Sequence, residues 1–180
     1  MRQIKINSTT GSELVSVSVL KNYIRVDHTE DDTLLGEMIT VARQYLENYL
    51  SRDIVAKTRT YYLDESDGII NIPFGPIASI ESVTVDGSTQ SHTVHGLDKE
   101  TIELDSQPSY TVTNRYPYQY ENVKINYTTA GMSDLILKNA IMQMVSTIYD
   151  NRADYKIGTL VTEIPTSSKK LIDSFKSMYV

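Results

Sequence analysis

The chain has 180 residues, no cysteine, and a formal net charge of -6 that arises from 17 lysine and arginine residues against 23 aspartate and glutamate residues. This surplus of acids argues against a protein whose main task is to grip nucleic-acid phosphates, because that affinity comes from lysine and arginine. The lack of cysteine excludes disulfide frameworks, cysteine-ligated zinc and thiol nucleophiles, so stability must come from packing of a core.

The first third of the chain is predicted to be helical. Apolar residues return every three or four positions over 16–26 and again over 30–50, which predicts a short helix followed by a long one. Acidic residues crowd the start of the long helix, and Thr29 is its predicted N-cap. Carboxylates there suit the unpaired N–H groups of the first turn. We therefore interpret Asp27, Glu30, Asp31 and Asp32 as helix-capping residues and not as a cation site.

The middle of the chain changes to a period of two, which is typical of strands. Strands are predicted at 54–62, 69–72, 77–85, 101–104 and 121–128. Asp86-Gly87 is a hairpin signal. The stretch 88–120 is polar and rich in serine, threonine and tyrosine, so we expect exposed hairpins there.

Helical periodicity returns in the last quarter of the chain. It predicts a helix that begins near Ser133 and a final helix that is opened by Pro165. The predicted fold is α+β and mainly helical: a helical layer made of an N-terminal and a C-terminal helix pair, with a central antiparallel β-rich insertion. We expect one domain over 1–180, with helices in 16–51, the insertion in 54–129 and helices in 133–179.

Motifs that carry chemistry are missing from the sequence. It contains no Walker A loop, no dinucleotide fingerprint and no Gly-x-Ser-x-Gly elbow. His92 and His95 have a spacing that could chelate a metal, but without a third ligand we interpret them as solvated loop residues. Arg25, Arg43, Arg52 and Arg152 are likewise interpreted as solvated or snorkelling side chains. We expect no catalytic residue, no metal site and no cofactor, and no segment long and apolar enough to span a membrane.

Short blocks in a fixed order resemble the head-tail connector (adaptor, or head completion) proteins of long-tailed bacteriophages and prophages. The blocks are Leu20–Asp27, Asp31–Asp32, Leu34–Leu35, Ala42–Glu47, Tyr49–Arg52, Ile70–Ile77, Val123–Gly131 and Ala140–Arg152. Two positions depart from the family pattern. Leu50-Ser51 stands where relatives usually carry Thr-Gly, and the proline usual before the third long helix is absent near Ser133-Asp134.

The resemblance implies a structural protein that is not an enzyme. It would dock on the portal protein as a ring, dodecameric when docked, and extend the DNA channel. Its other partners would be neighbouring subunits and a neck stopper or tail protein, while DNA would pass without sequence-specific binding. Such a protein would reside in the neck of the virion and assemble in the cytoplasm of a bacterial host.

Two segments are the predicted contact regions. Tyrosines that flank two prolines suggest a projecting hairpin or loop that meets a neighbour, and apolar residues in a segment without a clear period suggest a stretch that orders on a partner. These residues are Tyr110, Tyr116, Tyr118, Tyr120, Ile157, Leu160, Val161 and Ile164. The simpler interpretations are an ordinary long loop and packing under the last helix.

Other functions remain open at this stage. Within the same class, the protein could form another neck layer, as a stopper or tail terminator. From another class, a small α+β module could bind a ligand or peptide between the helical layer and the sheet. A hydrolase that uses Asp27, Asp31 and Asp32 is a third alternative.

Overall fold

The computed structural model describes residues 2–64, 66–105, 123–151, 170 and 172–176. These residues divide into two compact units. The sheet unit consists of the described residues within 2–12 and 55–132, and the helical unit consists of those within 13–54 and 133–176. Each unit is therefore assembled from separate stretches of the chain. The prediction of one connector domain over 1–180 stays a prediction.

In the described part of the helical unit, the long helical elements are α1 (Val17–Ile24), α2 (Asp32–Leu50) and α3 (Leu135–Asp150). α2 contacts both of the other helices. The three helices pack through apolar side chains that are at most 1% exposed: Leu20, Leu35, Ile39, Leu46, Leu50, Leu137, Ile141 and Val145. The spacing of three and four residues between them is the pattern that predicted these helices, and burying such stripes against one another stabilises them. No described helix has both the length and the apolar character of a membrane span.

The ends of the helices are fixed by local hydrogen bonds. The Oγ of Ser16 accepts the N–H of Val19 at 3.4 Å before α1, and Oδ1 of Asp134 accepts the N–H of Ile136 at 2.7 Å before α3. The predicted N-cap of α2 is wrong. The helix begins at Asp32, two residues later than expected, and Asp31 before it makes no side-chain cap. The hydroxyl of Tyr149 donates to Asp31 at 2.6 Å, so this acid joins α3 to the start of α2.

α2 ends on a residue in the left-handed conformation. Ser51 has φ 52° and ψ 37°, and its N–H bonds to the carbonyl oxygen of Glu47. Glycine is the usual residue at such a helix end because it lacks the Cβ that crowds this conformation. Position 51 is also one of the two places where the sequence departs from the connector pattern noted above, and a residue with a Cβ stands there in the left-handed conformation.

Ser51→Gly should therefore raise the free energy of unfolding by about 0.5–1 kcal/mol, because relief of left-handed strain outweighs the extra freedom of glycine in the unfolded chain. Urea denaturation of the purified protein measures the change. Ser51→Ala is the matched control and should bring no gain, since alanine keeps the Cβ. A glycine variant that is no more stable than the alanine variant would contradict the prediction.

The described residues of the sheet unit form eight strands: β1 (Arg2–Thr9), β2 (Lys57–Leu63), β3 (Ile69–Asn71), β4 (Ile77–Val85), β5 (Ser88–Thr89), β6 (His92–His95), β7 (Thr101–Leu104) and β8 (Val123–Thr129). Five of them form a sheet in the spatial order β1-β2-β8-β4-β5, and three form a second sheet in the order β3-β7-β6. Every neighbouring pair is antiparallel. β8 lies at the centre of the larger sheet although it comes last in sequence among the described strands.

One apolar cluster fills the sheet unit. Its members come from both sheets and from the turns that join them: Tyr61, Leu63, Ile70, Ile72, Ile77, Val83, Val85, Ile102, Leu104, Val123, Ile125 and Tyr127. The phenol of Tyr127 donates to the carbonyl oxygen of Pro73 at 2.9 Å, so its buried polar atom is satisfied. Burial raises the pKa of Tyr61, and the charge of Arg2 partly offsets this rise.

The prediction of a mainly helical fold with a helix pair at each terminus is wrong. The described residues form three α-helices and two antiparallel sheets, and a strand, β1, precedes the first helix. β1 went unpredicted because an edge strand that buries neither face needs little apolar sequence, and it has only Ile4 and Ile6. Near the C-terminus, the described residues of the predicted final helix are Lys170 and Ile172, which are α-helical, and a 3₁₀ turn that follows at Asp173–Phe175.

Candidate assembly surface

A ladder of polar side chains crosses one face of the five-stranded sheet. Asn7 donates to the hydroxyl of Thr60 at 2.8 Å, and Thr60 donates to Oδ1 of Asn126 at 2.7 Å. Asn126 in turn donates to the hydroxyl of Ser82 at 2.8 Å, so the chain of bonds joins β1, β2, β8 and β4. We call this side the polar face. Its groups satisfy one another laterally, which holds the sheet as a firm platform.

Two charged side chains stand at opposite ends of the polar face. Lys5 on β1 lies opposite Thr60 in the register, and residues opposite each other share a face. Glu81 on β4 accepts hydrogen bonds from Ser79 at 2.7 Å and from Thr128 at 2.6 Å, both through Oε1. Both side chains are exposed. The platform is therefore basic at its β1 edge and acidic at its β4 edge.

β1 is the outermost described strand on its side of the sheet. All eight of its residues are exposed, and only its β2 side is paired with another described strand. Ile4 lies opposite the buried Tyr61 and Ile6 opposite Arg59, so both belong to the core side of the sheet. They are nevertheless 39% and 51% exposed. A long edge with uncovered isoleucines is a place where another strand can add.

A second exposed feature is the turn between β6 and β7. Leu97 is fully exposed there, yet the turn is anchored: Asp98 accepts the N–H of Ile77 through its carbonyl oxygen at 2.9 Å, and Lys99 donates to the carbonyl oxygen of Ala78 at 3.2 Å. Gly96 has φ 93°, and a Cβ on it would lie 2.4 Å from the carboxylate of Glu100. The turn thus presents an apolar tip in a fixed position.

The predicted contact residues lie outside the part of the chain that the structure describes. Tyr110, Tyr116, Tyr118 and Tyr120 fall in 106–122, and Ile157, Leu160, Val161 and Ile164 fall in 152–169. Their role stays a prediction. The surface that the described residues do present, namely the β1 edge, was missed by sequence reasoning. The alternation of Ile4 and Ile6 with Gln3, Lys5 and Asn7 was the available signal.

The remaining candidate residues have local partners. His95 lies 3.1 Å from a carboxylate oxygen of Glu103 on the exposed face of the smaller sheet, and His92 lies 3.5 Å from the carbonyl oxygen of Gln90. Asp32 pairs with Lys21 at 2.7 Å. Across the described ranges, no three histidine or acidic side chains are grouped so that they could hold a metal ion.

One arginine differs from its predicted role. Arg43 is 4% exposed and is not a solvated side chain. Its Nε donates to both carboxylate oxygens of Glu13, at 2.9 and 3.0 Å, and its Nη1 donates to Glu47 at 2.6 Å. Glu47 is itself 3% exposed and accepts the N–H of Ile54 at 3.0 Å. This buried network fixes the chain on both sides of α2 and is structural.

Comparisons with known proteins point to one family and one kind of particle. Residues 15–113 match the sequence model of the phage gp6-like head-tail connector protein family. None of the curated proteins compared with the chain matches it in sequence.

Among solved structures, the fold resembles that of a chain in the neck of an empty gene transfer agent particle computed with C6 symmetry, with a TM-score of 0.73 and 13% identity. It also resembles a chain in the neck of the native particle computed with C12 symmetry, with a TM-score of 0.70 and 14% identity. Each likeness covers 99% of this chain and 97% of the other. At such identities the likeness shows a shared fold.

Proposed function

This chain belongs to the phage gp6-like head-tail connector family, and we propose that it acts as one subunit of a ring between the portal vertex and the tail. The observation that carries the proposal is the family match over residues 15–113, which is more than half of the chain. The fold likeness to chains from six- and twelvefold symmetric necks supports the ring. The likeness to a C12 neck also supports a ring of twelve subunits on the portal.

The proposed partners follow from this position in the particle. One side of the ring docks on the portal protein, and the other receives a neck stopper or a tail protein. Neighbouring subunits contact each other through two different surfaces, as closed rings require. DNA passes through the centre without sequence-specific contacts, and the net charge of -6 suits a wall that must not retain phosphates.

The proposed role is mechanical and includes no catalytic step. It depends on shape, rigidity and surface complementarity, and the hydrogen-bonded polar face is the kind of stiff element that such a part needs. The protein is proposed to assemble in the cytoplasm of a bacterial host and to remain in the neck of the finished virion.

Native mass spectrometry combined with negative-stain imaging tests the proposal. We expect rings over a concentration series, either from the protein alone or after addition of the portal protein from the same genome. Rings that appear only with portal would show templated closure. A protein that stays monomeric and does not bind the portal protein at any concentration would contradict the proposal and would favour a ligand-binding module or another neck layer.

A further inference from the structure

We propose that neighbouring subunits join edge to edge through the larger sheet, with β1 of one copy paired antiparallel to the outer edge of β4 in the next copy. This inference rests on the proposed ring, because it names the surfaces through which the ring closes. The strand order β1-β2-β8-β4-β5 puts the two edges on opposite sides of one sheet. Opposite sides of one molecule are what a head-to-tail contact uses.

The directions of the strands permit this pairing. Because every neighbouring pair in the sheet is antiparallel, the direction alternates along β1, β2, β8 and β4. β4 therefore runs opposite to β1. A neighbour rotated about an axis that lies along the strands offers its β4 antiparallel to β1, which is the more stable form of pairing.

The charges of the two edges are complementary. β1 carries Arg2 and Lys5 and no acid, whereas β4, β5 and the turn between them carry Glu81 and Asp86 and no lysine or arginine of their own. Lys99 reaches β4 at Ala78, where its ammonium group donates to the carbonyl oxygen and lies outside the stretch that carries Glu81. Lys5 and Glu81 both stand on the polar face. When two sheets continue edge to edge with the same face outward, Lys5 of one subunit approaches Glu81 of the next.

The opposite side of the sheet is complementary as well. Ile4 and Ile6 extend the core side of β1 into solvent. Ile80 lies opposite Tyr127 on the core side of β4 and is only partly buried against the apolar cluster. The same edge-to-edge contact that joins Lys5 to Glu81 also brings these isoleucines together, and covering them adds a hydrophobic contribution.

Self-pairing of β1 is the competing arrangement. An antiparallel self-pairing centred on Lys5 would place the two Lys5 side chains opposite each other, and like charges on facing strands repel. The outer edge of β4 is also limited, because β5 pairs with Thr84 and Val85 and Gln90 donates to the carbonyl oxygen of Val83. At the other end of β4, Asp98 accepts the N–H of Ile77 and Lys99 donates to the carbonyl oxygen of Ala78. With bulges between Ile77 and Ser79 and between Ile80 and Ser82, the contact is confined to a short stretch around 79–82. Such an edge accepts one partner without promoting open-ended aggregation.

Thiol crosslinking tests the pairing in the full chain. The protein has no cysteine, so Lys5→Cys and Glu81→Cys supply the only reactive thiols. Within one subunit these positions are three strand spacings apart, about 14 Å. A bismaleimide shorter than that distance can join them only between copies. Both residues are exposed, and circular dichroism of each variant checks that folding is intact.

We expect the double variant to give a ladder of covalent oligomers in denaturing electrophoresis under every condition in which rings form, with portal protein present if closure is templated. Each single variant alone should give monomer, and a mixture of the two single variants should stop at dimer. Lys5→Cys combined with Glu37→Cys, an exposed position on α2, controls for random collision and should give no ladder.

The failures are distinguishable. Rings in negative stain without a ladder would overturn the pairing of β1 with β4 but leave the connector function standing. Covalent dimers of the Lys5→Cys single variant would have the same meaning, because they would show that β1 pairs with itself. Absence of rings even on the portal would overturn both the pairing and the proposed connector function.

Charge exchange gives an independent measurement of the same contact. Lys5→Glu should weaken subunit association about tenfold, and the double exchange of Lys5→Glu with Glu81→Lys should restore it. A double exchange that associates no better than the single variant would also overturn the pairing.

Discussion

Replacing Arg43 with methionine should lower the free energy of unfolding by about 3–5 kcal/mol, the usual cost of removing one partner from a buried ion pair. Methionine fills most of the space but leaves the carboxylate of Glu47, which is 3% exposed, without the guanidinium that donates to it at 2.6 Å. Glu13 loses the Nε–H donor that both of its carboxylate oxygens share. Urea denaturation followed by circular dichroism measures the loss.

A second variant separates charge from packing in this prediction. Arg43→Met combined with Glu47→Gln removes the negative charge of the buried side chain at position 47, while the amide oxygen of the glutamine can still accept the N–H of Ile54. The double variant should therefore recover part of the lost stability. If it proves less stable than Arg43→Met alone, the buried carboxylate is not the source of the loss.

Ile125→Ala should destabilise the protein by about 2–5 kcal/mol, because it removes a buried branched side chain and leaves a cavity that the surrounding sheet cannot fill. Ile125 is fully buried on β8, the central strand, and belongs to the apolar cluster of the sheet unit. The effect is measured as a shift of the urea midpoint at unchanged slope.

The matched control for this cavity lies in the same sheet. Ile4→Ala makes the same chemical change on β1, where the side chain is already 39% exposed, so its cost should stay within about 0.5 kcal/mol. Equal losses at the two positions would contradict the burial pattern. Because Ile4 lies at the proposed contact, its substitution should weaken ring formation more than folding.

Local periodicity predicted most of the regular elements. α2 and α3 bury long apolar stripes, and the strands at Ile69–Asn71, Ile77–Val85 and Thr101–Leu104 were predicted at nearly the same positions. β1 and β6 were missed, because β6 has one apolar residue, Val94, and β1 has two. Strands with so little buried surface are held by hydrogen bonds to a neighbour that the sequence does not identify.

The candidate surface depends on contacts that are distant in sequence. The family was predicted from ordered blocks, and the match over 15–113 shows it. The two edges of the larger sheet, in contrast, are determined by the order of its strands. This order brings together residues that are distant in sequence, such as Asn7 with Thr60 and Thr60 with Asn126. Arg43 is a similar case, since its partner Glu13 lies 30 residues earlier. No periodic pattern in the sequence reports such pairings.

The central position of β8 has a consequence for synthesis of the protein. β1 leaves the ribosome before its partner β2, which follows some 50 residues later, and β2 needs β8, which lies 66 residues further on at the Thr60–Asn126 contact. The helical unit likewise requires α3, which begins at Leu135. Because closure of such long loops comes late in folding, a chain that stops early completes neither unit. Translation products that end prematurely should therefore fail to fold and be degraded, so that only complete subunits compete for places in the ring.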